Sequence, residues 1–194
     1  MRFIPNAITV FRILVTPVLI FCLFQKTLSF ASLAFTLFIL GAVSDFADGY
    51  VARALKNQSR LGRHLDPIAD KIFVLGGFVA LAWLHPQQVP WWAVGLIVIR
   101  DALVTGLRMT AESAGGSLPT IRFAKAKTAL QMTYLGLFLL TLTLQYLPET
   151  QALAEAFLKG NVMYGFMIMV VVVTCLSALS YIRIYLKNVT IANE

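Results

Sequence analysis

The chain has 194 residues, of which 59% are hydrophobic and 13% are charged. An average soluble domain is about a quarter charged, so this composition excludes an ordinary soluble fold and leaves too little polar sequence for a separate soluble domain. Lys and Arg number 16 against 9 Asp and Glu, giving a net charge of +7. The positions of these charges point to a membrane surface and anionic ligands, not to nucleic acid.

Six apolar stretches, each about long enough to cross a bilayer, follow one another along the chain. Turn-forming residues separate them at 25–27, 57–59, 85–90, 115–117 and 148–150. No internal repeat, low-complexity tract, linker or removable signal is evident. The sequence therefore predicts an all-α integral membrane protein with one domain over residues 1–194. The predicted helices are 4–24, 30–55, 67–84, 91–110, 123–147 and 156–186.

The basic residues are distributed unevenly between the two ends of the predicted helices. One end carries most of them, whereas the opposite loops hold only Lys26 and Lys159. Because basic loops stay on the cytoplasmic side of a membrane, we expect both termini and this basic end in the cytoplasm. Topology and contact with anionic headgroups explain part of this charge. The basic end contains Arg2, Arg53, Lys56, Arg60, Arg63, Arg108, Arg122, Lys125, Lys127, Arg183 and Lys187.

Topology does not explain four aspartates in the second and third predicted helices: Asp45, Asp48, Asp66 and Asp70. An Asp at the centre of a membrane helix costs roughly 2.5–3.5 kcal/mol on an insertion scale, so a functional site is the expected explanation. The spacing within each pair, three and four residues, places its members on one helix face. Carboxylate oxygens suit Mg²⁺, Mn²⁺ or Ca²⁺. Four carboxylates exceed what one Mg²⁺ usually takes from protein, so two ions that bridge substrate phosphates are expected.

The residues beside the first acid pair fit a bound nucleotide or phosphate. Gly49 and Ala52 are small and leave room for a flat or bulky group on the helix surface. Arg53 adds a guanidinium that can bind phosphate through two parallel hydrogen bonds. The alternative is that the acids are neutralised inside the protein by Arg53, Arg63 or Lys71.

The third helix is predicted to start near Pro67. Proline suits the first turn of a helix, and an aspartate such as Asp66 is a common residue at the cap before it. We therefore expect Asp66 at the cap. A reversal of the chain within residues 57–62 would bring the two acid pairs together at the cytoplasmic mouth.

Arg100 and Asp101 are charged residues within the predicted fourth helix. Because neighbouring helix residues are rotated by about 100°, we expect their side chains to face different directions. A structural pairing with other helices and a direct role in binding are both open for them.

The acid segment resembles the signature of the CDP-alcohol phosphatidyltransferases at every fixed position. Three flanking regions, 5–17, 100–108 and 125–131, resemble the phosphatidylglycerophosphate synthases within that family. The likeness extends over most of the chain. The signature positions are Asp45, Asp48, Gly49, Ala52, Arg53, Gly62, Asp66 and Asp70.

The resemblance implies a six-helix bundle in a bacterial-type inner membrane, usually a homodimer, with the active site in the cytoplasm. The implied reaction converts CDP-diacylglycerol and sn-glycerol 3-phosphate into phosphatidylglycerol phosphate and CMP, with two Mg²⁺ or Mn²⁺ ions. By position, Asp45, Asp48 and Asp66 would ligate the metals, while Asp70 would lie near the second ion and act as the base. The CDP site would be formed by Asn6, Thr9, Asp48, Gly49, Ala52, Arg53 and Asp66.

Glycerol 3-phosphate is a dianion, so its site requires basic residues near the metals. Arg108 is one candidate, with Thr105 one turn earlier as its hydroxyl partner. Lys125 and Lys127 lie about 200° apart on a helix, so at most one points into a given pocket, and we favour Lys125. Similarity to transferases with phosphorylated acceptors adds Arg183, near the end of the last helix.

Two other functions fit part of the pattern. A sister transferase would take another acceptor, such as inositol phosphate or serine, but serine would not need the basic cluster. A small cation transporter would use the carboxylates as its ion site. That function predicts acids near the midplane and repeated halves, whereas these acids cluster at one end of the helices.

Overall fold

The computed structural model describes the backbone of residues 4–55, 60–113 and 122–192, and the side chains of 10–44, 69, 71–111, 113 and 123–186. Over these residues the fold is all-helical. Its helices are α1 (Ile4–Phe24), α2 (Leu28–Leu55), α3 (Arg60–Leu84), α4 (Trp91–Ser113), α5 (Arg122–Leu144), α6 (Gln151–Lys159) and α7 (Asn161–Ala192).

Most helices lie where the lengths of the apolar stretches and the positions of the turn residues predicted them. Helix α1 has the predicted bounds, and α2, α4 and α5 differ from prediction by a few residues at their ends. The predicted loops 25–27, 85–90 and 148–150 lie between helices. The other two, 57–59 and 115–117, fall outside the described residues.

Helix α3 begins earlier than predicted. Its first residue is Arg60, so Asp66 and Pro67 lie inside the helix. The prediction that Asp66 caps this helix is therefore wrong. A proline fits helical φ and removes a single backbone hydrogen bond, to the carbonyl four residues earlier, and here that loss does not end the helix.

The predicted sixth helix is in fact two helices, α6 and α7. Gly160 separates them with an extended backbone, φ −78° and ψ 167°, while its N–H still donates to the Ala156 carbonyl at 2.9 Å. Helix α6 buries Ala154 and Leu158 and exposes Leu153. The exposed apolar residues of α6 can contact lipid or protein.

The helices form one bundle around aromatic side chains. Helix α1 packs on α2 and α3, α2 packs on α5, and α7 packs on α4 and α5. The rings of Phe38 and Phe73 stack with centroids 5.5 Å apart. Phe78 and Tyr134 stack at 5.8 Å. Such ring pairs add to the burial energy of the core.

The outer surface of the bundle is strongly apolar. Leu14 is 63% exposed and Ile99 is 62% exposed, and large exposed apolar surfaces mark contact with lipid or protein. Within the described residues, the Asn161–Leu186 part of α7 is long and apolar enough to cross a bilayer. Shorter apolar helical segments are Val10–Phe24, Leu28–Ser44 and Lys71–Leu84.

Gly41 of α2 leaves room for the ring of Phe73 of α3. A Cβ added there would lie 2.5 Å from Cζ of Phe73, and the stack with Phe38 prevents that ring from withdrawing. We expect Gly41→Ala to destabilise the fold by about 1–3 kcal/mol, the usual cost of overpacking. Thermal unfolding in detergent measures this effect. The control is Gly95→Ala, since nothing lies within 4 Å of the added Cβ; equal effects of the two variants would contradict the packing.

Candidate active site

The four acids predicted to bind metal lie on helical backbone at the end of α2 and the start of α3. Their side chains, and those of the predicted CDP site, lie outside the described part of the chain, so these roles stay predictions. Among the side chains that the structure does describe, no group of three or more His, Cys, Asp or Glu could hold a metal. The side chains outside the described part are those of Asp45, Asp48, Asp66, Asp70, Asn6, Thr9, Gly49, Ala52 and Arg53.

A buried group of charged residues joins α4 to α5. Lys127 Nζ lies 2.9 Å from Oδ1 and 3.1 Å from Oδ2 of Asp101. A guanidinium nitrogen of Arg100 donates to the same Oδ1 at 2.9 Å. Arg100, Asp101 and Lys127 are 8%, 9% and 6% exposed. Because burying a charge without a partner is costly, this shared carboxylate is needed to keep both cations inside the bundle.

Arg100 also fixes the position of α7. Its Nε and a terminal nitrogen donate to Ser177 Oγ at 2.9 and 2.7 Å, and Ser177 donates to the Thr174 carbonyl at 2.8 Å. Arg100 and Asp101 do contact different helices, α7 and α5, as expected of neighbouring helix residues, but the long arginine side chain also curves back to the Asp101 carboxylate. We call Arg100, Asp101, Lys127 and Ser177 the Asp101 cluster.

A hydrogen-bond chain connects the acid segment to α4. Lys71 Nζ donates to Thr105 Oγ1 at 2.5 Å, and Thr105 donates to the Asp101 carbonyl at 2.7 Å. Since Lys71 directly follows Asp70, this contact holds the acid-bearing turn of α3 beside α4. It also corrects one expectation, because Thr105 bonds to Lys71 and to the backbone, not to Arg108.

Tyr181 of α7 orients the arginine that we expected at the acceptor site. A terminal nitrogen of Arg108 donates to the Tyr181 hydroxyl at 2.6 Å, and Arg108 Cζ lies 5.2 Å from the ring centroid. Arg100 Cζ lies 5.9 Å from the same ring. Tyr181 is fully buried. An aromatic ring attracts a guanidinium through its negative face, so the Tyr181 ring attracts both arginines.

The remaining acceptor candidates take different positions. Lys125 is exposed, whereas Lys127 is buried in the Asp101 cluster. The two lysines do face different sides, and the preference for Lys125 at the acceptor pocket stays a prediction. Arg183 is exposed, and within the described part of the chain it makes no polar contact with the cluster.

Ser177 and Tyr181 were not predicted as functional residues. They lie four residues apart on α7, so they share one face. Asp101, Thr105 and Arg108 likewise follow one another at spacings of four and three on α4. Polar residues at helical spacing inside apolar helices were therefore the signal that could have identified this contact between α4 and α7.

Comparisons with known proteins agree with the family resemblance of the acid segment. The family model for CDP-alcohol phosphatidyltransferase matches residues 2–178, a range that includes the acid segment and the Asp101 cluster. Proteins named CDP-diacylglycerol–glycerol-3-phosphate 3-phosphatidyltransferase are similar to this chain. The one from Rickettsia typhi is 38% identical over 140 residues, covering 72% of this chain and 78% of that protein. The Rickettsia prowazekii protein is 38% identical over 137 residues, which cover 71% of this chain and 75% of that protein. The Pseudomonas fluorescens protein is 34% identical over 141 residues, which cover 70% of this chain and 71% of that protein.

Proposed function

The chain belongs to the CDP-alcohol phosphatidyltransferase family, and from that premise we propose that it transfers the phosphatidyl group of CDP-diacylglycerol to sn-glycerol 3-phosphate. The products are phosphatidylglycerol phosphate and CMP. The likeness to relatives that are named for this reaction carries the proposal. Residues 1–194 act in it as one membrane-embedded catalytic domain.

The proposed topology has six spans, formed by α1 to α5 and α7, with α6 lying in the interface. Both termini and the active site then lie on the cytoplasmic side of a bacterial-type inner membrane. The unequal distribution of basic residues supports this orientation. The apolar outer surface can accommodate lipid and a second copy in a homodimer, the state that the family resemblance implies.

The donor set of the acid segment fits hard divalent cations. Asp45 and Asp48 on α2, and Asp66 and Asp70 on α3, supply only carboxylate oxygens, the ligands that Mg²⁺ and Mn²⁺ prefer. When bound, two such ions would neutralise the pyrophosphate charge and stabilise CMP as it leaves. We assign all four aspartates to this role.

The reaction itself needs a base and a nucleotide site. Asp70 accepts the proton of the acceptor hydroxyl; the hydroxyl oxygen forms a bond to the β-phosphorus, and the bond from that phosphorus to CMP breaks. The CDP group is held by residues of α1 and α2, with Arg53 binding phosphate. The proposed CDP-site residues are Asn6, Thr9, Asp48, Gly49, Ala52, Arg53 and Asp66.

The Lys71–Thr105 contact supports an acceptor site beside the acids. It brings α4, which carries Arg108, next to the turn that contains Asp70. Tyr181 fixes the orientation of Arg108, whose planar group matches two phosphate oxygens. Thr105, Lys125, Lys127 and Arg183 complete the proposed acceptor-phosphate residues.

An acceptor panel tests the proposal. Purified protein receives radiolabelled CDP-diacylglycerol, Mg²⁺, and one of glycerol 3-phosphate, inositol phosphate, serine or glycerol. We expect glycerol 3-phosphate to give the fastest CMP release and a labelled lipid with a phosphomonoester headgroup. Faster turnover of another acceptor would assign the chain to a sister activity of the same family.

Arg108→Ala is expected to weaken acceptor binding selectively. Loss of a hydrogen-bonded charge costs about 1.5–3 kcal/mol, which corresponds to an increase of about 10–150-fold in the KM for glycerol 3-phosphate. The KM for CDP-diacylglycerol should stay nearly unchanged. Tyr181→Phe keeps the ring and removes the hydroxyl, so we expect a smaller effect in the same direction. Equal increases in both KM values would show that Arg108 has a structural role.

A further inference from the structure

A cavity of about 220 Å³ opens at the end of the bundle away from the acid segment. Its apolar wall is formed by side chains from four helices: Cys22, Ala31, Leu84 and Leu142. Along α3, residue 84 lies about 21 Å from residue 70 at 1.5 Å per residue. The cavity is therefore distinct from the proposed catalytic site.

The mouth of this cavity is lined by hydrogen-bond donors, namely Lys26, His85, Gln145 and Tyr146. Lys26 is exposed and Gln145 and Tyr146 are half-buried, so their polar groups are accessible to a ligand. None of the residues lining the cavity is acidic. The mouth thus carries one positive charge, several hydrogen-bond donors and no negative charge.

The His85 imidazole and the Tyr146 hydroxyl at the cavity mouth are both uncharged. Burial, together with the positive charge of Lys26, lowers the pKa of the His85 imidazole. Burial raises the pKa of the Tyr146 hydroxyl. Both groups are therefore neutral at pH 7 and able to donate a hydrogen bond, while Lys26 supplies the charge.

Lys26 occupies a backbone conformation that favours glycine. Its φ is 49°, in the left-handed region, directly after the turn that ends α1. Glycine is the usual residue at such a position because a side chain there is strained. A left-handed residue is common just after a helix end, so this conformation belongs to the end of α1, and glycine can replace Lys26 without changing the backbone.

The cavity lies at a level of the bundle marked by exposed tryptophans. Trp83 directly precedes the cavity residue Leu84 and is 68% exposed, and Trp91 and Trp92 at the start of α4 are each 48% exposed. The rings of Trp83 and Trp91 are in edge contact, with centroids 6.3 Å apart. Tryptophan concentrates where the bilayer meets water, so the mouth of the cavity faces the depth of lipid headgroups.

We propose that this cavity binds a phosphate group, that of an anionic phospholipid headgroup, on the side of the membrane away from the catalytic acids. Lys26 pairs with the phosphate, Gln145 and Tyr146 donate hydrogen bonds to it, and the apolar wall contacts the glycerol part. Its volume is below the roughly 300–1,000 Å³ of pockets for larger ligands, which suits a headgroup and not a whole lipid. Free inorganic phosphate shares the same chemistry.

Thermal unfolding in nanodiscs tests this site independently of turnover. The protein is placed in phosphatidylcholine discs, in discs that also contain phosphatidylglycerol, and in phosphatidylcholine discs with added inorganic phosphate. We expect phosphatidylglycerol to raise the midpoint by about 2–4 °C. Lys26→Gln and Lys26→Gly should each lose most of that increase. Because Lys26→Gly relieves the positive φ, it removes the cation without endangering the fold.

Lys159→Gln is the matched control. Lys159 is an exposed cation at the same end of the bundle and bonds to Glu155 at 2.5 Å, so this variant should keep the full lipid-dependent increase. A Lys26-dependent shift with phosphatidylglycerol alone assigns the site to a headgroup, and one with inorganic phosphate as well assigns it to phosphate from either source. No shift in the wild type, or a shift in both Lys26 variants as large as that of the wild type, would overturn the proposal.

Discussion

Asp70→Asn is expected to abolish CMP release while the protein stays inserted and folded. Asparagine keeps the shape of the side chain but removes its negative charge and its basicity. General-base catalysis alone contributes about 10²–10⁴-fold, and the loss of a metal ligand adds to that. Asp66→Asn should have a similar effect, because Asp66 is assigned to the same metal site. Release of labelled CMP from CDP-diacylglycerol measures both variants.

The control for these variants is Glu149→Gln. Glu149 is exposed in the loop between α5 and α6, at the opposite end of the bundle, so losing its charge should leave turnover intact. Size-exclusion chromatography and thermal unfolding establish that each variant is folded. Full activity of either Asp66→Asn or Asp70→Asn would remove the corresponding assignment.

Asp101→Asn is expected to cause the largest loss of stability. Its carboxylate is shared by Arg100 and Lys127, all three being buried. Removing one partner of a buried ion pair costs about 3–5 kcal/mol because the remaining charge loses its compensation. The cluster connects α4 to α5 and α7, so the change should also displace Arg108 on α4 and reduce turnover. Thermal unfolding with and without substrate measures both effects.

A double-variant cycle separates the ion pair from general packing. Lys127→Met alone removes one cation, and combined with Asp101→Asn it removes the pair. We expect the double variant to lose less stability than the sum of the single variants, as contacting residues do. Glu155→Gln, which breaks an exposed pair with Lys159, should leave the midpoint unchanged. Additive losses, or an unchanged midpoint for Asp101→Asn, would contradict the role of the cluster.

The positions of the helices could be predicted because they depend on the length of apolar stretches and on turn residues. Helix α1 and the loop 85–90 follow directly from those features. The break at Gly160 and the start of α3 at Arg60 depend instead on local backbone geometry. A glycine within an apolar run and a proline within a helix each permit more than one outcome.

The inward face of each helix could not be predicted in the same way. In a soluble bundle the apolar face marks the core, but here many large apolar side chains also lie on the outer surface. Helix geometry therefore predicted that Lys125 and Lys127 point to different sides, but not which of them points inward. Polar partners decide this: Lys127 is inside because Asp101 is there to receive it.

The roles of Tyr181 and Ser177 could not be predicted from the sequence for the same reason. Both residues lie in the apolar run of α7, and their roles depend on α4 presenting Arg100 and Arg108 at the same level. Sequence spacing gives the face that two residues share within one helix. It does not give the rotation and height of one helix against the next, which the contacts between α4 and α7 fix.

Reversible removal of divalent cations from the wild-type protein tests most directly whether the four aspartates hold metal for the transfer. CMP release is measured with glycerol 3-phosphate before chelation, after it, and after Mg²⁺ or Mn²⁺ is returned. We expect turnover to fall to background with the chelator and to recover with the metal. Turnover that continues undiminished in the chelator would contradict a metal-dependent transfer at these acids.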